Sequence, residues 1–263
     1  MLMVPDSMTR MHSERPFKRK GFLRMTRADI ACRYQGNQFL PAFPDVTLAL
    51  LKSHLSNITL PQGAVCFNPG DLIERVYFPV SGLISLIVST RGGELVEAGM
   101  IGREGAAGLQ NAFARRPSFT RGIVQVSGSF WTVPADPLGQ AIERSEEAKA
   151  LVNHYTEVLW AEAQQLTACN AVHQSLPRLA RWLLQSADRT GSDQLPLTQE
   201  FLGEMLGIRR TSVTLLAQEL HQRGMIKYVR GRITILDRAA LEPTACECYQ
   251  VIREVYHGMA ARA

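Results

Sequence analysis

The segment that most restricts the fold lies near the C-terminus and reads LTQEFLGEMLGIRRTSVTLLAQELHQRGMI, residues 197–226. It predicts two amphipathic helices separated by a tight turn, because Thr198 is suited to cap the first helix and Gly207 to end it in a left-handed conformation. In the second helix, apolar residues recur at i, i+3, i+4 and i+7, which defines a buried face. The residues of that face are Val213, Leu216, Ala217 and Leu220. Two short helices joined in this way form a helix-turn-helix.

The opposite face of the second helix is basic and rich in hydroxyl groups near its N-terminal end, where helix-turn-helix proteins contact bases. Arginine can pair bidentately with guanine, and threonine can contact a base or a phosphate. Gly224 ends this helix, and the alternating stretch MIKYVRGRITIL then predicts a β-hairpin, a basic wing, with its turn at Arg230 and Gly231. The predicted DNA-binding residues are Arg209, Arg210, Thr211, Ser212, Thr214, Gln218, Lys227, Arg230 and Arg232.

The formal net charge of +5 is unevenly distributed along the 263 residues. Residues 1–40 carry eight Lys or Arg against three acidic residues, and residues 205–236 carry six against one, so each stretch has a net charge of +5. Local positive charge of this kind favours nucleic-acid binding. The sequence has no apolar run of about 18 residues and no secretory signal, so we expect no membrane partner and a cytoplasmic location.

Residues 58–102 alternate short β-rich runs with turn signals such as Asn68-Pro69-Gly70-Asp71 and Arg91-Gly92-Gly93. Short strands at this spacing predict an antiparallel barrel or sandwich. Beyond Pro137 the period becomes helical, and a stripe recurs at alternating steps of four and three, which is typical of a coiled-coil seam. We expect this stripe to form a dimer interface, with packing against the chain's own barrel as the alternative. Its predicted interface residues are Ala148, Val152, Tyr155, Leu159, Leu166 and Cys169, with Glu162 as the one polar position.

In this order of barrel, long helix and winged helix-turn-helix, the chain resembles the Crp/Fnr family of bacterial transcription regulators. The resemblance runs from about residue 45 to 240 and is carried by NPGD, VYFPVSGLISLIV, MIGREG and, most strongly, by residues 197–226. It implies a homodimer that binds a palindromic promoter site, contacts RNA polymerase, and senses an effector or redox signal in the barrel. In the recognition helix Arg210 matches the family pattern, but Thr211 and Leu215 replace a glutamate and a second arginine. The target sequence therefore cannot be carried over, although Leu215 can touch a thymine methyl group.

The expected fold class is α+β, with an antiparallel β-roll or jelly-roll sensor domain, a long dimerisation helix and a C-terminal winged helix-turn-helix. The predicted segments are a basic, disordered extension at 1–40, the cyclic-nucleotide-binding-like barrel at 41–140, the long helix at 141–170, the DNA-binding domain at 171–240 and a C-terminal helix at 241–263.

A cyclic-nucleotide pocket of this family needs a Gly-Glu turn for the ribose and a positioned arginine for the phosphate. The candidate effector pocket comprises Gly102, Arg103, Glu104, Gly105 and Arg121, but Arg103 interrupts the turn and no Arg-Ser-Ala segment follows. Because a buried phosphate requires a charge-assisted partner, we expect an effector other than cyclic AMP. The alternatives are a cyclic-nucleotide response through this atypical pocket and a plain turn between strands.

No cofactor is predicted. The five cysteines are scattered, and only Cys32 and Cys66 precede the long helix, so we expect no iron–sulfur cluster. Nothing supports haem ligation. Cys246 and Cys248 with His257 suggest a metal, but residues two apart on a helix do not share a face, so we predict free thiols and no metal. No nucleotide-binding or hydrolase signature indicates an enzyme. A stand-alone cyclic-nucleotide module would not need the basic helix and wing.

Overall fold

The structure, a computed structural model, describes residues 34–260. A short helix α1 (Asp45–Leu51) leads into seven strands, β1 (Ser56–Leu60), β2 (Val65–Phe67), β3 (Arg75–Pro79), β4 (Leu83–Ser89), β5 (Leu95–Ile101), β6 (Arg121–Val126) and β7 (Gly128–Pro134), with helix α2 (Leu109–Ala114) between β5 and β6. They form two antiparallel sheets, ordered β1-β7-β3 and β2-β6-β4-β5. Apolar side chains that alternate along these strands, such as Phe78 and Phe130, are fully buried between the sheets. This is the predicted barrel.

Helix α3 (Ala135–Glu143) connects the barrel to the long helix α4 (Glu146–Val172). Ser145 caps α4 by accepting a 3.2 Å hydrogen bond from the backbone N–H of Ala148, and Glu146 and Glu147 place negative charge at its positive end. The helix ends where His173 adopts an extended backbone.

The predicted dimer stripe on α4 lies inside the monomer. Ala148, Val152, Tyr155, Leu166 and Cys169 are all at most 9% exposed. The first four belong to the barrel core, and Leu159 is half-buried against it. Their assignment to a dimer interface is therefore wrong in this structure, and the alternative of packing on the chain's own barrel applies. The polar position in the stripe, Glu162, is also buried. Its Oε1 lies 2.8 Å from Nη2 of Arg189, and this ion pair compensates for the burial of the carboxylate.

The C-terminal part contains α5 (Ser175–Thr190), β8 (Gln194–Leu195), α6 (Gln199–Leu206), α7 (Arg210–Gln222), β9 (Ile226–Val229), β10 (Arg232–Ile235), α8 (Arg238–Leu241) and α9 (Cys248–Ala260). Its core is continuous with the barrel, since Trp182, Leu183 and Leu197 share one apolar cluster with Leu83 and Met100 of the sheet. Helix α9 packs on α4. The predicted α+β class with its barrel, long helix and winged helix-turn-helix is confirmed.

The predicted disordered extension is partly ordered. Residues 1–33, including Cys32, lie outside the described residues, but Tyr34, Phe39 and Leu40 are buried in the barrel core. Asn37 holds this segment in place by donating from its side-chain amide to the carbonyl oxygens of Pro79 (2.8 Å) and Gly105 (3.1 Å). Within residues 34–260, no helix has the length and apolar character that a bilayer crossing requires.

Candidate nucleic-acid interface

Helices α6 and α7 form the predicted helix-turn-helix. The Thr198 side chain caps α6 by accepting from the Phe201 N–H at 3.2 Å, and Gly207 ends it at φ +63°. The turn then closes when the N–H of Ile208 donates to the Gly203 carbonyl at 2.9 Å. A side chain at residue 203 would meet the Ile208 carbonyl oxygen at 2.8 Å, so this close approach of turn and helix requires glycine.

The outward face of α7 carries a mixed stripe suited to base edges. Arg210, Thr211 and Gln218 are exposed, as predicted, and Arg209 is exposed just before the helix begins. Leu215 is 67% exposed between them. A leucine this exposed, among polar groups, has little apolar surface of its own chain to pack against. A thymine methyl group in the major groove would give it an apolar contact. Its exposure leaves Leu215 available for the thymine contact that the sequence suggested.

Two of the predicted DNA-binding residues are less accessible than the others. Ser212 and Thr214 are half-buried. The Thr214 hydroxyl lies 2.9 Å from Oε1 of Gln199 and 3.1 Å from the carbonyl oxygen of Arg210, so its proton is used within the protein. Thr214 therefore fixes α7 against α6, and this positions the exposed stripe beside it.

The wing is an antiparallel sheet ordered β8-β10-β9. Arg230 and Gly231 both have positive φ, +48° and +75°, as a two-residue type I′ hairpin turn requires. A non-glycine residue in this region costs roughly 1 kcal/mol, and Arg230 adopts it at the tip of the wing. Lys227, Arg230 and Arg232 line an open groove of about 510 Å³ on this sheet, and all three are exposed.

The residues of the candidate effector pocket do not converge. Glu104 is partly buried, with its Oε1 3.3 Å from Nε of Arg189, and Gly102 lies directly against Arg189. Gly105 is in contact with the Tyr155 hydroxyl. Arg121 lines a separate groove beside α6. The prediction that the 102–105 turn and Arg121 form one pocket is wrong, because the Glu104 carboxylate is committed to an arginine of the DNA-binding segment.

Arg103 and Glu104 instead border a cavity of about 450 Å³ between the barrel, α4, α5 and α9. On its border, Arg189 bridges the Glu104 carboxylate and the buried Glu162 carboxylate, and the Tyr256 hydroxyl donates to Glu162 at 2.7 Å. Burial raises the pKa of Glu104 above its ordinary value, while the Arg189 guanidinium opposes that shift. These groups couple the barrel turn to both helices that flank the DNA-binding segment.

Sequence reasoning missed a cluster at the end of α4. The ligand-type atoms of Cys169, His173, Cys246 and Cys248 all lie within 4.8 Å of one another. Cys246 precedes α9 and Cys248 lies in its first turn, so the objection that two helical residues cannot share a face does not hold here. His257 is elsewhere, on the border of the 450 Å³ cavity.

Residues 177–244 match the Crp-like helix-turn-helix domain family. The chain is 25% identical over 191 residues to the global nitrogen regulator of Synechococcus elongatus, covering 68% of this chain and 85% of that protein. It is 23% identical over 187 residues to the global nitrogen regulator of Nostoc sp., covering 67% and 83%.

Solved structures share the fold. FixK2 from Bradyrhizobium japonicum superposes with a TM-score of 0.63 at 15% identity, over 73% of this chain and 98% of that one. A putative Crp/Fnr-family transcriptional regulator from Eubacterium rectale gives 0.62 at 19% identity, over 79% and 97%. A winged helix-turn-helix and relatives of this kind are typical of DNA-binding transcription regulators. Specifically, residues 177–244 carry a Crp-like helix-turn-helix domain, and the chain is similar in sequence to the global nitrogen regulators and in fold to solved Crp/Fnr-family regulators.

Proposed function

We propose that the protein acts as a homodimer on a palindromic promoter site, with α7 in the major groove and the wing on the flanking phosphates. The observation that carries this proposal is the exposed stripe of Arg210, Thr211, Leu215 and Gln218 beside a cationic wing. A helix in the major groove reads donors, acceptors and methyl groups, and this stripe offers a partner for each. The protein works in the cytoplasm and contacts RNA polymerase there.

The proposed dimer interface is the outward face of α4, which replaces the buried stripe. Exposed residues recur on this face at steps of four and three, the spacing of a coiled-coil seam. They are Asn153, Glu157, Trp160, Gln164, Thr167 and Ala171. Trp160 is 66% exposed at the middle of the helix, and a tryptophan of this exposure supplies the apolar anchor that a two-fold interface needs.

The proposed effector is a small molecule other than cyclic AMP, bound in the 450 Å³ cavity. A ligand there would contact Arg103 of the barrel and Arg253 of α9 together, so its binding would bias the position of the DNA-binding segment. The cyclic-nucleotide pocket lacks its carboxylate, because Glu104 pairs with Arg189. Calorimetric titration with cyclic AMP and cyclic GMP should give no heat, and micromolar binding that Arg121→Ala abolishes would contradict this.

Fluorescence anisotropy with DNA from the chain's own promoter region tests the DNA-binding proposal. We expect wild-type protein to bind one fragment far more tightly than a scrambled fragment of equal length. Arg210→Ala should lose about 1–3 kcal/mol on the preferred fragment and little on the scrambled one. Arg144→Ala, an exposed arginine at the end of α3, is the matched control and should bind both as wild type does. Equal affinity of wild-type protein for both fragments would contradict the proposal.

A further inference from the structure

The four side chains Cys169, His173, Cys246 and Cys248, which we call the cysteine–histidine cluster, come from two places in the chain. Cys169 and His173 lie one helical turn apart at the end of α4, and Cys246 and Cys248 flank the start of α9. The three cysteines are at most 6% exposed, and among residues 34–260 they form an apolar cluster with no other member. Three buried thiols facing one histidine are the donor set of a closed zinc site.

The distances within the cluster are those of ligands around one tetrahedral ion. With zinc–sulfur bonds of about 2.3 Å and zinc–nitrogen bonds of about 2.0–2.1 Å, tetrahedral geometry places two sulfurs about 3.8 Å apart and sulfur and nitrogen about 3.5 Å apart. The Cys169 and Cys246 Sγ atoms are 3.6 Å apart. The Cys248 Sγ and His173 Nδ1 are also 3.6 Å apart. A disulfide would instead need sulfurs about 2.05 Å apart.

The orientation of His173 is a separate observation that points to a metal. Its Nδ1 faces the thiols, while its Nε2 lies 3.0 Å from Oε1 of Glu247. A histidine that binds a metal through one ring nitrogen usually donates the other N–H to a carboxylate, which fixes the tautomer and leaves the first nitrogen free to coordinate. Glu247 stands between the two cysteines in the sequence and supplies that carboxylate.

The surroundings also match a zinc–thiolate centre. Three thiolates and one Zn²⁺ carry a net charge of −1, which needs nearby cations and N–H donors. The Arg181 guanidinium, 3% exposed, interacts electrostatically with Cys169 and Cys246, and its Nε has no hydrogen-bond partner among the described residues. Gln165 donates from Nε2 to the Cys248 sulfur at 3.0 Å.

We propose that the cysteine–histidine cluster binds one Zn²⁺ in a closed, tetrahedral structural site. The four ligand atoms lie too close together to surround a cluster of several irons. The ion would join the end of α4 to the start of α9 and so hold the short connection between α4 and α5, which leads into the DNA-binding segment. Metal coordination would thus stabilise the contact between α4 and α9 at a place where the buried cluster consists of three cysteines.

Elemental analysis of untagged full-length protein, purified under reducing conditions, tests the proposal. We expect about one zinc per chain in the wild type. Cys248→Ser should retain almost none. Cys66→Ser in the barrel and His257→Ala on α9 are matched controls and should keep the wild-type content, since neither residue belongs to the cluster. Glu247→Ala should keep the ligands but weaken zinc affinity by about 10–100-fold.

Cobalt(II) substitution provides a second readout that does not depend on loss-of-ligand variants folding. Wild-type protein loaded with Co²⁺ should show the strong visible bands of tetrahedral thiolate coordination and a thiolate-to-cobalt charge-transfer band. His173→Cys should still bind one ion, with bands shifted toward those of four-thiolate coordination. Absence of zinc together with absence of these cobalt bands in reduced wild-type protein would overturn the proposal, as would a Cys169–Cys246 disulfide found by mass spectrometry in protein that takes up no metal.

Discussion

The indole N–H of Trp182 donates a 2.6 Å hydrogen bond to Oε2 of Glu97, and both side chains are buried where α5 crosses the barrel. The other carboxylate oxygen accepts from the Ser85 hydroxyl at 2.6 Å. This is a polar contact inside the apolar cluster that the sensor and DNA-binding segments share. Burial raises the pKa of Glu97 from 4.5 to about 7, and the hydrogen bonds from Ser85 and Trp182 only partly offset this shift.

The first prediction is that stability falls with rising pH because of Glu97. Its folded-state pKa of about 7 exceeds its unfolded value of 4.5, so the folded state binds more protons between these values. The contribution is complete below pH 4.5 and is lost as pH rises through 7. At about 1.4 kcal/mol per pKa unit, it amounts to at most roughly 3 kcal/mol.

Glu97→Gln tests this in urea unfolding at pH 5.5 and 8. The glutamine oxygen can still accept from Trp182, but the side chain cannot ionise. The variant should be more stable than wild type at pH 8, and its stability should change less between the two pH values. Glu94→Gln, an exposed glutamate on the preceding turn, is the control and should leave the wild-type difference almost unchanged. An unaltered pH dependence in Glu97→Gln would show that Glu97 is not the group responsible.

The second prediction concerns Trp160 and the proposed dimer interface. Trp160→Glu would place two carboxylates near a two-fold axis, so the dimer should dissociate and DNA affinity should fall with it. Sedimentation velocity at micromolar concentration measures the change. Phe119→Glu, at a 78% exposed position on the loop before β6, is the matched control and should remain dimeric. A dimer in Trp160→Glu equal to that of wild type would place the interface elsewhere.

The third prediction separates the wing from the recognition helix. Arg232→Ala should weaken binding to all DNA sequences alike and lower the salt slope by about one ion, because the wing contacts phosphates. Arg210→Ala should leave that slope nearly unchanged. Affinities measured at several salt concentrations on cognate and scrambled DNA give both quantities. If Arg232→Ala lost affinity only for the cognate fragment, the wing would be reading bases.

The fourth prediction is that zinc removal destabilises the protein. A strong chelator should lower the melting temperature of wild type and reduce its DNA affinity, since ligand binding to the folded state adds to stability. Added zinc should restore both. Cys248→Ser should show the lower melting temperature without chelator and no further response to it. If the chelator removed zinc from the wild type without changing its melting temperature, the ion would have no structural role.

The helix-turn-helix could be predicted because its determinants are local. Caps, a glycine that ends α6 and the 3.6-residue period all lie within residues 197–226, and each is visible in the sequence. The α4 stripe shows the limit of such reasoning. Its period indicates which face is buried but not what covers it, and the barrel covers the Tyr155 face that a second chain was expected to cover.

The Glu104 contact and the cysteine–histidine cluster could not be predicted, because both depend on contacts between residues that are distant in the chain. The Glu104 turn resembles a ligand-binding turn, yet its side chain reaches Arg189 on α5. Cys169 meets Cys246 across 77 positions and His173 meets Cys248 across 75. Neither the spacing of these residues along the chain nor the composition predicts the cysteine–histidine contacts, because they form only when α9 folds back along α4.

Selection of binding sites from random duplex DNA by full-length protein tests the central claim most directly. We predict an enriched sequence with two inverted half-sites about one helical turn apart, as a two-fold dimer with a recognition helix in each major groove requires. Selection with Arg210→Ala should relax one base position in each half-site and leave the others enriched. Recovery of no enriched sequence by wild type, or of an unchanged motif by Arg210→Ala, would contradict base recognition through α7.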